Sequence, residues 1–149
     1  MQPHKHLALS ALIGAAGWWW TGEATTGALA LAVGVLPDVD HVVDYLVYHR
    51  SGEHKLVLLL HGYEYALLAG TVAFTSSNPA LAIATLSYLV HLFADQFENH
   101  THWLGYSFLF RAIHRFRIEE ISNAPEAAKR GRMQDMAMVR KLLRGFIHE

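Results

Sequence analysis

Residues 36–45, L-P-D-V-D-H-V-V-D-Y, decide how this chain is read. They set Asp38, Asp40, His41 and Asp44 within seven positions, directly after an apolar run that should be buried. Unpaired carboxylates and imidazoles are costly to bury, so such a cluster needs a partner. A metal ion is the simplest one. Pro37 stops the preceding helix, expected over residues 27–36, because the residue before a proline avoids helical geometry. Asp38 or Asp40 is then expected to cap a short helix over residues 39–48. Capping accounts for one carboxylate, not for three and a histidine.

Outward from this motif the chain reads as helices. An Ala- and Leu-rich stretch over residues 6–17 predicts a first helix with His6 near its start. Beyond the polar loop 49–55, residues 56–74 predict a helix on which His61 and Glu64 share a face. Pro79 opens a helix to Glu98 whose stripe carries His91, Asp95 and Glu98, four and three residues apart. His100 and His102 follow in a loop. Residues 106–121 predict a fifth helix with His114 on it, and residues 126–147 a basic one. The expected fold is all-α, a single bundle of five or six helices with a metal site between them. Residues 1–121 form the metal-site bundle, and 122–149 a basic C-terminal helix packed on it or trailing from it.

Composition narrows the chemistry. The absence of cysteine excludes disulfides, thiolate zinc sites and cysteine nucleophiles. Eleven histidines exceed what packing needs, so imidazole and carboxylate would have to supply any metal ligands. Hydrophobic residues make up 52% and charged residues 17%, against roughly 45–50% and about 25% in ordinary domains. That bias points to a membrane or to a heavily buried bundle. His61 and Glu64 interrupt one long apolar segment and His91 and Asp95 end another; ionisable residues within apolar helices tend to be functional and to face a bundle interior. Lys5 and the apolar run after it superficially resemble a signal peptide, but Trp18, Trp19 and Trp20 suit an interfacial belt better. Residues 111–149 carry nine Lys or Arg against five Asp or Glu. This basic tail is a surface for anionic lipid or nucleic acid, or simply a solvated helix.

With nitrogen and oxygen donors alone, zinc is the expected metal, with manganese and iron also compatible. The candidate ligands are His6, Asp38, Asp40, His41, His61, His91 and Asp95, enough for two or three ions. Clustered divalent cations activate water and clamp the oxygens of a phosphoester, so phosphoester hydrolysis is the natural reaction class. Glu64 or Glu98 is the candidate general base.

The same motifs carry a family resemblance. Residues 6–14 (H-L-A-L-S-A-L-I-G), 36–41 (L-P-D-V-D-H), 49–55 (H-R-S-G-E-H-K) and 86–95 (L-S-Y-L-V-H-L-F-A-D) resemble the family of small bacterial membrane-bound metal-dependent hydrolases. The resemblance covers roughly residues 4–98. That family is similar, more distantly, to the helical zinc-dependent phospholipase C and P1 nuclease fold, whose ligands include a His-x-x-x-Asp pair on one helix. The resemblance implies His6, Asp38, Asp40, His41, His91 and Asp95 as site residues, and a bacterial inner-membrane location. The middle motif departs from the family's H-R-G-x-T-H-S: Ser51 is inserted before the glycine and Lys55 follows His54. Either His54 keeps the ligand role or His61, with Glu64, takes it; His61 is preferred because an imidazole on an apolar helix needs a partner more than one in a wet loop.

The expectation is therefore a metal-dependent phosphoesterase acting on a phospholipid, another small molecule or a nucleic-acid backbone. The rivals are a membrane-embedded ion-binding or transport protein without hydrolytic activity, and a nucleic-acid module using the basic tail. A soluble cytoplasmic form is compatible with the composition.

Overall fold

The computed structural model describes residues 3–99 and 101–147; His100 and His148 lie outside the described residues. Within them every regular element is helical: α1 (Pro3–Thr21), α2 (Ala24–Val35), a 3-10 turn (Leu36–Val39), α3 (Asp40–Ser51), α4 (Tyr63–Ser76), α5 (Pro79–Glu98), α6 (Phe108–Ile113), α7 (Ile118–Ile121) and α8 (Pro125–Ile147). Six of these run twelve residues or more, the all-α bundle expected. Two isolated antiparallel bridges, Lys55 with Arg117 and Thr101 with Ser122, tie down the loops.

Helix α5 is the axis, packing on α1, α2 and α4. Its start is fixed locally: Asn78 accepts the Leu81 N–H at 3.1 Å, and Pro79 takes the first helical position, where no N–H is needed. A seam of small residues lets α1 and α2 approach closely. A Cβ on Gly14 would stand 2.7 Å from the Gly27 carbonyl oxygen, and one on Gly27 2.8 Å from that of Gly14. Backbone contact of this kind is how apolar helices associate when water offers no driving force between them.

Several boundaries differ from the sequence reading. The Trp triplet belongs to α1 rather than fraying from it. Neither Asp38 nor Asp40 caps α3, whose N-cap position is Val39 with no side-chain bond. Helix α4 starts only at Tyr63, because residues 55–62 are held in an irregular loop by their neighbours. There the Leu56 N–H donates to the Phe116 carbonyl at 2.8 Å and the Val57 N–H to Asp44 Oδ1 at 2.9 Å. The expected helix over 106–121 splits into α6 and α7, with Arg115 and Phe116 at φ of 52° and 61°. Residues in that region of φ end a helix rather than continue it.

Helix α8 docks on α3 and α7. The contact is fixed by Arg132, buried with Asp44: Nε to Oδ2 is 2.7 Å and Nη2 to Oδ1 3.0 Å, a bidentate pair. Lys129 pairs with Glu119 and Glu126. Arg132 is thus spent inside the protein, while Arg130, Arg140 and Lys141 stay exposed.

Large apolar side chains cover the outside of the α1, α4 and α5 bundle. Trp19 and Phe74 are 88% and 86% exposed, and Leu12, Leu67, Leu68 and Phe97 lie mostly outside as well. By length and composition, the continuous stretch Ala24–Ser51 and helix α5 are each long and apolar enough to cross a membrane. Soluble core helices pass the same test, so that alone does not establish a span.

Candidate metal centre

The cluster forms where four segments converge: the first turns of α1, the break between α2 and α3, the loop before α4, and the second half of α5. Each puts its polar residue inward for a local reason. His6 is one turn into α1. Asp38 lies in the 3-10 turn forced by Pro37. His91 and Asp95 are four apart on α5 and so lie one above the other on its buried face. His61 sits in the loop 55–62, which Tyr88 holds by donating to the Leu60 carbonyl at 2.5 Å and accepting from the Gly62 N–H at 2.9 Å.

His6, His61, His91 and Asp95 are at most 1% exposed. His6 Nε2 lies 3.0 Å from Asp95 Oδ1, and the other Asp95 oxygen is 3.4 Å from His61 Nε2 and 3.6 Å from His91 Nε2. Asp38 Oδ1 is 3.8 Å from His91 Nε2 and 3.9 Å from His41 Nε2. Among the described residues two groups meet the geometry for holding a cation: His6, Asp38, His91 and Asp95, and Asp38, His41 and His61, each with ligand atoms within 4.8 Å of one another. Asp38 belongs to both.

Two features mark this as more than a satisfied polar core. Both Asp38 carboxylate oxygens are buried without a hydrogen-bond partner, and so is His6 Nδ1. Buried polar atoms are nearly always paired, so oxygens left over among imidazoles fit a cation. The second feature concerns tautomers. His91 Nδ1 lies 2.8 Å from the Gly34 carbonyl oxygen, which can only accept, so that nitrogen carries the proton. His61 Nδ1 faces Asp40 Oδ2 at 3.3 Å and is likewise the protonated nitrogen. The two Nε2 atoms therefore present lone pairs to each other at 3.0 Å. Only a cation or an extra proton between them makes that separation favourable. Burial opposes charge on His61, but its bonds to Asp40 and Asp95 outweigh burial and raise its pKa.

The sequence-derived candidates divide. His6, Asp38, His41, His61, His91 and Asp95 come together, and of the two alternatives His61 lies in the cluster while His54 stays apart, packed against Tyr48. Asp40 stands one layer out, accepting the Leu60 N–H and His61 Nδ1, and so orients His61. Glu64 and Glu98 do not join the cluster. Glu64 accepts Ser107 Oγ at 2.5 Å and the Phe108 and Leu109 N–H groups at 3.0 and 3.2 Å, capping α6. Glu98 pairs with Lys5 at 2.7 Å on the surface. His61 and Glu64 share no helical face, since His61 precedes α4. His102 is occupied elsewhere, stacking on Phe110.

Arg111 was not foreseen. It is fully buried, donates through Nη2 to the His61 carbonyl, and burial lowers its pKa. With Tyr88, it holds the His61 loop in place. In sequence it is one of several basic residues in R-A-I-H-R-F-R, and nothing local distinguishes it. Tyr88 had a signal: it precedes His91 by three and so shares its stripe.

In comparisons with known proteins the chain matches no family model, no curated protein and no solved structure.

Proposed function

We propose that the chain is a membrane-associated metal-dependent hydrolase that acts on a phosphoester. The observation that carries this reading is Asp38, whose two carboxylate oxygens are buried with no hydrogen-bond partner, placed between two sets of imidazoles. A pair of ions sharing Asp38 suits the two groups, with zinc the best match to nitrogen and oxygen donors without sulfur, and manganese or iron as substitutes. Such ions, when bound, supply Lewis acidity and activate water at neutral pH. The chain's own residues do the rest. Asp40 and the Gly34 carbonyl fix the ring orientation of His61 and His91, and such outer partners tune ligand geometry. The side chains of Asp38 and His41 are 12% and 18% exposed, so this edge is where a phosphoester would reach the cluster. The apolar exterior and the two long apolar helices support a membrane location.

A second reading, an ion-binding or transport protein without hydrolysis, has its own support: both glutamates expected to act as bases are committed elsewhere. Elemental analysis of the purified protein, of Asp38→Ala and of His91→Ala, paired with a phosphoesterase panel, separates the two. Metal retained in full by both folded variants would overturn the site. Metal lost in the variants, with a silent panel for the loaded wild type, would favour ion binding.

A further inference from the structure

A groove of about 290 Å3 runs between α2, α4 and α5 on the outside of the bundle. Its inner end is built from immediate neighbours of the metal centre: Pro37 precedes Asp38, Leu60 precedes His61, and Tyr88 lies one turn before His91. Its floor is buried, with Ala84 at 2% and Tyr88 at 7% exposure, whereas Leu29, Leu36 and Tyr65 on its rim are about half exposed. No lining residue carries a charge. The Tyr88 and Thr85 hydroxyls are taken by backbone carbonyls. The volume falls at the lower end of small-molecule sites, roughly 300 Å3 and upward. The groove is therefore an apolar slot walled in part by the chain neighbours of Asp38 and His61, with an exposed rim on the outside of the bundle.

We infer that this groove takes a single alkyl chain of the substrate, so that the substrate is a long-chain amphiphile whose phosphoester lies at the metal centre. The inference rests on the hydrolase reading above and names its substrate class. An occupant with a polar body is disfavoured by the uncharged lining, and a nucleic-acid substrate has no use for such a slot. Lateral opening also lets a chain enter from a bilayer without crossing water.

The test uses the full chain in lipid nanodiscs, loaded with zinc, and a long-chain alkyl phosphonate carrying a terminal diazirine. After photolysis, labelled residues are mapped by mass spectrometry. The expected result is labelling concentrated on the groove walls, at Ala69 and Leu81 rather than at the exposed belt residues Leu12 and Phe74. That concentration is lost on chelation and in Asp38→Ala. Ala69→Phe, which fills the slot from its half-exposed wall, keeps its metal content and loses groove labelling; Leu68→Phe, one position away and outside the groove, does not. Labelling spread evenly over exposed apolar residues, or groove labelling unchanged by chelation, would mean ordinary lipid filling and would overturn the inference while leaving the metal centre intact. A wild-type protein that takes up no zinc would overturn both.

Discussion

Replacing Asp38 with asparagine is expected to change stability in opposite directions with and without metal. In the chelated protein Asp38 buries two oxygens with no partner, beside Asp95 and the imidazoles. An unsatisfied buried polar group costs about 1–3 kcal/mol, and the asparagine amide is neutral and brings two donors that can reach Asp95. Asp38→Asn in chelator is therefore expected to match the wild type or exceed it by up to about that amount. With free zinc at about a hundred times the dissociation constant, binding stabilises the wild type by about 2.7 kcal/mol. On the proposed reading Asp38 is the shared ligand, and a hundredfold loss of affinity in the variant brings its metal-derived stabilisation down to about 0.4 kcal/mol. The wild type should thus gain roughly 2 kcal/mol more than the variant on zinc addition, and the ranking of the two should invert or close. Denaturant unfolding in mild detergent, followed by far-UV circular dichroism with zinc and with chelator, measures all four states. If the variant loses the same stability in both conditions, Asp38 is a structural carboxylate and the metal reading fails.

Arg132→Met leaves Asp44 as a lone charge between α3 and α8 and is expected to cost about 3–5 kcal/mol, whereas adding Asp44→Asn to it should recover a large part of that loss; additive effects in the double-mutant cycle would refute the buried pair. Glu64→Gln should keep the metal content and, as a weakened cap on α6, lower stability by about 0.5–2 kcal/mol; loss of metal would return Glu64 to the site. Gly14→Leu forces α1 away from α2 at the point of backbone contact and is expected to destabilise by about 1–3 kcal/mol or more, read as a lowered unfolding midpoint. A neutral outcome would mean the two helices do not meet there.

The elements visible in the sequence were those whose signal is periodic. The His91 and Asp95 pair on α5 could be placed because a four-residue spacing on a long apolar helix has one interpretation. The proline break before Asp38 was equally legible, since Pro37 acts on its own neighbours. The loop 55–62 was not. Its residues, K-L-V-L-L-L-H-G, look helical by composition, and only partners far along the chain hold them extended: Phe116, Asp44, Tyr88 and Arg111. The same loop carries His61, which was placed in the cluster for the wrong local reason, as a helical residue beside Glu64. The roles of Asp40 and Glu64 were hidden likewise, because a carboxylate that orients a ring or caps a distant helix looks in sequence like one that binds metal.

The separation of the ligands along the chain bears on how the site comes into being. His6 and Asp95 are 89 residues apart, His61 and His91 are 30 apart, and Asp40 and His61 are 21 apart. The four-ligand group draws on three of the four converging segments, and the loops closed by Asp40 with His61 and by His61 with His91 both lie inside the one closed by His6 with Asp95. Closing a longer loop adds little entropy cost once a shorter one is in place, about 0.6 kcal/mol per doubling of length. The proposed four-ligand group is therefore complete only at the last step of assembly, when α5 brings His91 and Asp95 against His6. On the proposed reading, full metal loading reports completed folding, because a chain stalled before α5 docks lacks His91 and Asp95 and keeps only the three-residue group of Asp38, His41 and His61.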